Sequence, residues 1–341
     1  MVMKRGEPGS GTETSEGREI KKILSIDGGG IRGMFPATFL AELEKQAPEP
    51  LHRYFDLIVG TSTGGIIAIG LALGIRAQVI AELYETKGPE IFFQERTGLR
   101  GRMDRWLAAS RHLIAPKYPA ERLRAELHRV LGDQKIGDAR TRLMVPAFNA
   151  ITKRVYIFKT RHANRFTTDD KDLAVDAAMA TAAAPTFFPR HLTSRGVGLV
   201  DGGLWANNPA GPAVVEGIGT LGWHPRSIRL LSIGCLEDVA ELPENAGRLG
   251  AMRRVQDFFM SGQAHGSMGI AHILTGDVGD AEHKAVYRVS QPIPANEYDL
   301  DNTRKIAKLK DRALVEAREQ GPILRRVFLS QVVEPFEPTH R

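Results

Sequence analysis

The stretch Ile23-Leu-Ser-Ile-Asp-Gly-Gly-Gly-Ile-Arg-Gly33 decides the fold class of this chain. Its first residues are typical of a β-strand, and the glycine cluster behind them predicts a tight turn. Residues 34–46 then place apolar side chains at helical spacing, so the turn leads into a helix.

The same order of elements follows at once. Residues 54–59 predict a second short strand, Gly60-Thr-Ser-Thr-Gly-Gly65 predicts a second turn, and residues 66–73 predict a second helix. Strands that alternate with helices favour a parallel sheet with helices packed on it. We therefore expect an α/β fold with a mostly parallel central sheet.

The remainder of the chain predicts further elements of both kinds. Residues 1–20 are interpreted as a flexible leader, residues 21–220 as the core, and residues 221–341 as a C-terminal part that completes the sheet and adds helices. Helices are expected at residues 76–86, 120–131, 172–183, 209–219, 247–261 and 301–319, and strands at 142–147, 154–159, 197–200, 228–233 and 284–290.

The composition narrows the class of protein. Of the 341 residues 42% are apolar and 25% are charged, which is typical of a globular protein and excludes a disordered or fibrous chain. The net charge of +6 favours anionic partners such as lipid headgroups or nucleotides. The single cysteine, Cys235, excludes an internal disulfide and suits the cytoplasm. No signal peptide is expected, and the longest apolar run, residues 66–75, falls short of the about 18–20 residues that span a bilayer.

Residues 88–117 carry little periodicity and are interpreted as a cap or an insertion. The segment combines apolar side chains with Arg96, Arg100, Arg102, Arg105 and Arg111. This mixture suits contact with an anionic membrane surface, and it suits equally a cap packed over an active site. Nucleic acid is not expected as a partner, because no base-stacking module or helix-turn-helix pattern accompanies the arginines.

Three glycine motifs carry the candidate chemistry. The first, Asp27-Gly-Gly-Gly-Ile-Arg-Gly33, matches a dinucleotide fingerprint, but that site also needs a carboxylate after the second strand, where the chain has Val59-Gly60-Thr61. Alternatively, the backbone N–H groups of the glycines bind a developing negative charge, or the glycines serve only the packing of a turn.

The second motif, Gly60-Thr-Ser62-Thr-Gly64, has the pattern of a nucleophile elbow, in which a tight strand-to-helix turn presents the serine hydroxyl. The other interpretation makes Ser62 an ordinary helix N-cap. The third motif, Asp201-Gly-Gly203, follows the short apolar run of residues 197–200. Taken alone, its aspartate is only a turn residue.

The three motifs in this order, with the run Ala182-Ala-Ala-Pro-Thr-Phe-Phe-Pro189, resemble the patatin-like phospholipases over residues 23–215. The resemblance implies a three-layer α/β fold with Ser62 as the nucleophile and Asp201 as its partner in a Ser–Asp dyad. It implies an oxyanion hole at Gly28, Gly29 and Gly30 with Arg32 nearby, and ester hydrolysis without metal or cofactor. Many members have Asp-Gly-Ala where this chain has Asp-Gly-Gly, and glycine is also accepted there.

A Ser-Asp-His triad of the ordinary α/β-hydrolase type is the alternative mechanism. It needs a histidine after Asp201, and the candidates are His224, His265, His272, His283 and His340. The sequence contains neither the HExxH spacing of a zinc site nor a phosphate-binding GxxxxGK[ST] loop.

The run of residues 30–37 is similar to bacterial patatin-like effectors of antiphage signalling, which cyclic nucleotides switch on to degrade the membrane. This resemblance implies a cyclic-nucleotide activator and a cytoplasmic protein that is peripherally and transiently associated with the phospholipid surface. A nucleotide-binding signalling module with little catalysis of its own is the competing class. A homo-oligomer is compatible with the sequence.

Overall fold

The computed structural model describes residues 19–91, 116–239, 248–279, 283–294 and 305–339. Within these ranges the main sheet has eight strands in the order β5-β6-β3-β2-β1-β7-β9, with β4 paired to β3, and β8 and β10 form a separate pair. The strands are β1 (Lys21–Ile26), β2 (Leu57–Gly60), β3 (Arg142–Asn149), β4 (Arg154–Lys159), β5 (His191–Leu192), β6 (Gly198–Asp201), β7 (Ile228–Ile233), β8 (Glu237–Val239), β9 (Val286–Val289) and β10 (Pro292–Pro294).

The centre of the sheet is parallel. Strand β1 pairs in parallel with β2 on one side and β7 on the other, and β3 and β9 extend this parallel part outward. Ile26 is in register with both Gly60 and Ile233, so the loops after β1, β2 and β7 leave the sheet side by side. Strands β4, β5 and β6 add antiparallel pairs at one side.

Helices cover both faces of the sheet. Leu57 and Val59 point into one apolar core, together with Val214 and Ala271, whereas Ile58 belongs to the larger core on the other face. The predicted three-layer α/β fold with a mostly parallel sheet is confirmed. The helices are α1 (Met34–Glu44), α2 (Thr63–Ala72), α3 (Ala77–Ile91), α4 (Ala120–Leu131), α5 (Ala174–Thr181), α6 (Gly203–Ala206), α7 (Ala210–Gly219), α8 (Arg248–Thr275) and α9 (Ile306–Phe328).

Three helices run further than the sequence predicts, because packing overrides local propensity. Helix α3 passes Pro89 and ends at Ile91, whose side chain is buried. Helix α8 passes the predicted end at residue 261, because Ala271 and Thr275 are buried. Helix α9 continues beyond Pro322 to the buried Phe328.

The C-terminal part contributes to the same sheet, since β7 lies beside β1 and β9 lies beside β7. Of the segment predicted as a cap or insertion, residues 88–91 form the last turn of α3, and residues 92–115, with all five arginines, lie outside the described residues. In the described part of the chain, no helix combines the length and apolar character needed to cross a membrane.

Candidate active site

The turn between β2 and α2 places Ser62 at the carboxyl edge of the sheet. Ser62 has φ +57° and ψ −125°, a backbone conformation that a non-glycine residue rarely adopts. The turn is tight enough that a side chain at Gly64 would collide with the carbonyl oxygen of Ile26. This geometry is that of a nucleophile elbow, which presents the serine hydroxyl above the end of the sheet.

The hydroxyl of Ser62 donates to a carboxylate and does not cap the helix. Its Oγ lies 2.6 Å from Oδ2 of Asp201, the last residue of β6. Oδ1 of Asp201 accepts the backbone N–H of Gly203 at 2.6 Å. The structure thus brings together two residues that are 139 positions apart in sequence.

Asp201 is buried, with 5% of its surface exposed. Burial raises the pKa of its carboxyl to about 6, against the hydrogen bonds from Ser62 and Gly203, which lower it. A carboxylate with a raised pKa accepts a proton more readily than an ordinary aspartate, as a general base near neutral pH requires.

The glycine loop after β1 lies beside Ser62. Two of its backbone amides already have acceptors: Gly28 donates to the carbonyl of Asn207 at 2.9 Å, and Gly29 donates to Oγ1 of Thr63 at 3.1 Å. The amide of Arg32 donates to the carbonyl of Gly29 at 3.1 Å. Gly30 starts a 3₁₀ turn, Gly30–Gly33, and the first amides of a helical turn have no acceptor inside that turn.

Two of the four residues predicted for the oxyanion hole line the cavity that also holds Ser62 and Asp201. Gly29, Gly30, Ser62 and Thr63 line one cavity with Asp201, whereas Gly28 and Arg32 are not among its described lining residues. The amide of Thr63, at the first position of α2, directly follows the nucleophile, which is where elbow motifs supply an oxyanion donor.

The glycine loop packs closely against the protein itself at Gly29. A side chain at Gly29 would collide with Cβ of Cys235, which lies two residues after the end of β7. Gly29 therefore needs to be a glycine for packing, which was one of the interpretations of this motif. Gly30 lines the cavity beside Ser62.

The cavity has a volume of about 510 Å³ and a mostly apolar wall. Its size falls in the range of sites for small organic ligands. Leu204 and Phe259 stand at this wall with 50% and 65% of their surfaces exposed. Other apolar side chains of the wall are Ile66, Leu83, Leu123, Leu127, Phe187 and Phe188.

The histidines of the alternative triad lie elsewhere. None of His224, His265, His272 and His283 is among the described residues that line the cavity. His265 contacts the carbonyl of Ser261, His272 contacts that of Asp277, and His283 contacts that of Thr275, each through a ring nitrogen. Nδ1 of His224 accepts the amide of Arg226. His340 lies outside the described residues.

A second layer of contacts holds the elbow, and it was not foreseen from the sequence. The backbone N–H of Ser62 donates to Oγ1 of Thr181 at 2.9 Å. The hydroxyl of Thr61 donates to the carbonyl of Ala206 at 2.6 Å. Neither threonine carries a local signal, because its partner is distant in sequence.

Comparison with known proteins identifies the family to which the chain belongs. The sequence model of the patatin-like phospholipases matches residues 24–214. A protein of Pseudomonas aeruginosa named cGAMP-activated phospholipase is 42% identical over 187 residues, which are 55% of this chain and 54% of that protein. An Escherichia coli protein of the same name is 38% identical over 206 residues, 57% of this chain and 55% of that protein.

The match thus spans about half the length of these curated relatives. Among solved structures, VipD from Legionella pneumophila superposes with a TM-score of 0.45 and 12% identity, covering 91% of this chain and 67% of that chain.

Proposed function

The chain belongs to the patatin-like phospholipase family, and we propose that it is a serine hydrolase that cleaves acyl esters of membrane phospholipids. The observation that carries the proposal is the 2.6 Å contact between Ser62 Oγ and Asp201 Oδ2 at the wall of an apolar cavity. A nucleophile, a base and a place for an acyl chain then occupy one site.

In the first half of the reaction, Ser62 Oγ attacks the ester carbonyl carbon while its proton passes to Asp201. The negative charge that develops on the carbonyl oxygen is received by the amides of Gly30 and Thr63 and by the N-terminus of α2. Loss of one such donor costs about 3–4 kcal/mol of transition-state stabilisation in comparable sites. Asp201 returns the proton to the leaving alcohol, and the acyl group stays on Ser62.

In the second half, a water molecule gives a proton to Asp201 and attacks the acyl carbon. The same amides receive the charge, the fatty acid departs, and the proton returns to Ser62 Oγ. Every proton transfer in this cycle uses one carboxylate, which is why its raised pKa matters.

The cavity offers a route for the lipid. The exposed side chains of Leu204 and Phe259 at its wall suit contact with the acyl region of a membrane surface. We propose that the protein acts from the cytoplasm and meets the membrane transiently at this wall, so that one acyl chain enters while the headgroup stays at the interface.

We further propose that a cyclic nucleotide such as cGAMP switches the hydrolase on, in the manner of an antiphage effector. The support is the name shared by the relatives from Pseudomonas aeruginosa and Escherichia coli. A ligand can act in this way only if it binds the active conformation more tightly than the idle one.

Fatty-acid release from mixed phospholipid vesicles tests both proposals. We expect release by the wild type that rises with cGAMP, and no release by Ser62→Ala or Asp201→Asn. Ser194→Ala and Asp133→Asn, at exposed positions, serve as matched controls. Release by folded Ser62→Ala refutes the hydrolase mechanism. Full activity without a nucleotide refutes the switch alone, and cGAMP binding without hydrolysis favours the signalling module.

A further inference from the structure

One buried carboxylate beside the active site takes no part in the proposed chemistry. Asp27 is 4% exposed and directly precedes the glycine loop. Its backbone is fixed to the neighbouring strand, because its N–H donates to the carbonyl of Ile233 at 2.9 Å and its carbonyl accepts the thiol of Cys235 at 3.2 Å. Its side chain needs a separate explanation.

Arg288 on β9 supplies that explanation. Its Nη2 donates to Oδ2 of Asp27 at 2.7 Å and to Oε1 of Glu237 at 2.9 Å, and its Nη1 donates to Oγ of Ser232 at 2.8 Å. Among the described residues, Arg288 is the only side chain that hydrogen-bonds the Asp27 carboxylate, whose Oδ1 is buried without a partner.

The two carboxylates bound by Arg288 differ in their surroundings. The side chain of Asp27 is 5% exposed, whereas that of Glu237 is 47% exposed. Burial raises the pKa of Asp27 and Arg288 lowers it, so the arginine favours the ionised form of a carboxylate that burial opposes. Without the arginine, Asp27 must take up a proton or move toward water.

Movement of Asp27 reaches the active site within two residues. Gly29 lines the cavity and is packed against Cys235, whose thiol holds the carbonyl of Asp27. Glycines have no side chains with which to fix their own position, so the loop depends on the residues that flank it. Oxyanion donors act only when they are held close to the productive geometry.

We propose that Arg288 is a positioning residue for the oxyanion-binding loop, acting through Asp27 on the placement of Gly29 and Gly30. The inference rests on the proposed hydrolase function and deepens it. Arg288 lies outside residues 24–214, so it assigns a role in the site to a part of the chain that the family match does not include.

The test compares Arg288→Gln and Arg288→Lys with Glu237→Gln on a short-chain p-nitrophenyl ester. Glu237→Gln is the matched control, because it removes the charge of the outer partner of the same arginine and leaves the bond to Asp27. We expect kcat to fall about 10- to 100-fold in Arg288→Gln with KM within about twofold of wild type. Arg288→Lys should be intermediate, and Glu237→Gln should stay within about twofold.

A double-mutant cycle separates positioning from a general loss of stability. If Arg288 acts through Asp27, then Asp27→Asn combined with Arg288→Gln loses no more kcat than the worse single variant. Losses that multiply would overturn the proposal, as would a folded Arg288→Gln with wild-type kcat. If Arg288→Gln does not fold, Arg288→Lys decides: a fall of about fivefold at unchanged Tm supports the proposal, and wild-type kcat overturns it.

The reaction of Ser62 with a fluorophosphonate probe distinguishes the two proposals. This reaction needs the nucleophile and the oxyanion donors but no turnover, so its rate should fall in parallel with kcat. A wild type that labels at Ser62 and hydrolyses the ester, with an equally active Arg288→Gln, refutes only the role of Arg288. A wild type that neither labels nor hydrolyses refutes the proposed function and, with it, this inference.

Discussion

The backbone amide of Ser62 donates to the hydroxyl of Thr181 at 2.9 Å, and that hydroxyl donates to the carbonyl of Pro146 at 2.6 Å. Thr181 is the last residue of α5, so this one side chain ties the elbow to a helix and to strand β3. The hydrogen bond to Thr181 thus fixes the strained backbone of Ser62, while the Ser62 hydroxyl donates to Asp201.

Thr181→Val should therefore damage the site without touching the reacting atoms. The methyl group leaves the amide of Ser62 and the carbonyl of Pro146 without their partner, at a cost of about 1–3 kcal/mol in the free energy of unfolding. We expect kcat on a soluble ester to fall about tenfold. Thr181→Ser keeps the hydroxyl and is the control. Wild-type kcat in a folded Thr181→Val contradicts the supporting role.

The activity should depend on pH through Asp201. Only the ionised carboxylate accepts the proton of Ser62, and burial raises its pKa to about 6. We expect kcat/KM on a soluble ester to rise with pH and to level off above an apparent pKa of about 6. The measurement is a pH–rate profile between pH 4.5 and 8.5. A profile that is flat below pH 6 would exclude Asp201 as the base.

A histidine base would give a similar profile, so the histidines need their own experiment. Since none of His224, His265, His272 and His283 lines the cavity in the described part of the chain, single alanine variants of the four should keep substantial activity on a soluble ester. Loss of a catalytic base costs about 10³-fold or more in kcat. One folded histidine variant with such a loss would restore the triad mechanism.

Asp201→Asn should stabilise the protein while it abolishes activity. The folded pKa of Asp201 lies near 6 and its ordinary value near 3.8, so the folded state holds the proton more tightly. The stability that Asp201 contributes therefore falls as pH rises from about 4 to about 6. Asparagine removes the buried charge. We therefore expect the free energy of unfolding of Asp201→Asn to exceed that of the wild type by up to about 3 kcal/mol at pH 8, and the difference to vanish below pH 4.

Denaturant unfolding at pH 4 and pH 8 measures this gain. Asp133→Asn is the control, because the side chain of Asp133 is 87% exposed and its charge meets no burial. A loss of stability in Asp201→Asn at pH 8 would mean that the carboxylate is favoured in the folded state, against the argument from burial.

The exposed apolar wall should matter on membranes and little in solution. Phe259→Ser removes an apolar side chain that is 65% exposed at the cavity, and we expect vesicle hydrolysis to fall about tenfold, with a much smaller change on a soluble ester. Ile151→Ser is the control, since Ile151 is 61% exposed and is not among the cavity residues. Equal losses of activity on both substrates would instead mean that Phe259 supports the folded structure of α8 and not membrane contact.

The features that could be predicted from the sequence are those that local patterns of residues determine. The glycine motifs after β1 and β2 predicted two strand–turn–helix units, and the order of the motifs pointed to Ser62 and Asp201, which the structure brings within hydrogen-bond distance. These features depend on residues that are neighbours in sequence or belong to a recognisable pattern.

The remaining contacts have no local pattern. Thr181 is 119 residues from Ser62, and Arg288 is 261 residues from Asp27, and both are ordinary residue types in their own elements. The placement of Gly28 also follows from a distant partner, because its amide is taken by the carbonyl of Asn207. Such pairings follow only from the assembled sheet, so a single sequence does not reveal them.

The central position of β1, between β2 and β7, determines how early the sheet can be completed while the chain is being synthesised. β1 leaves the ribosome well before β7, which pairs with one of its edges, and Asp27 is paired only after an arginine 261 residues later has been made. At about 5–20 residues per second, that interval is roughly 13–50 s. A nascent chain therefore carries Ser62 long before the loop beside it is anchored, and the site is complete only after Arg288 has left the ribosome.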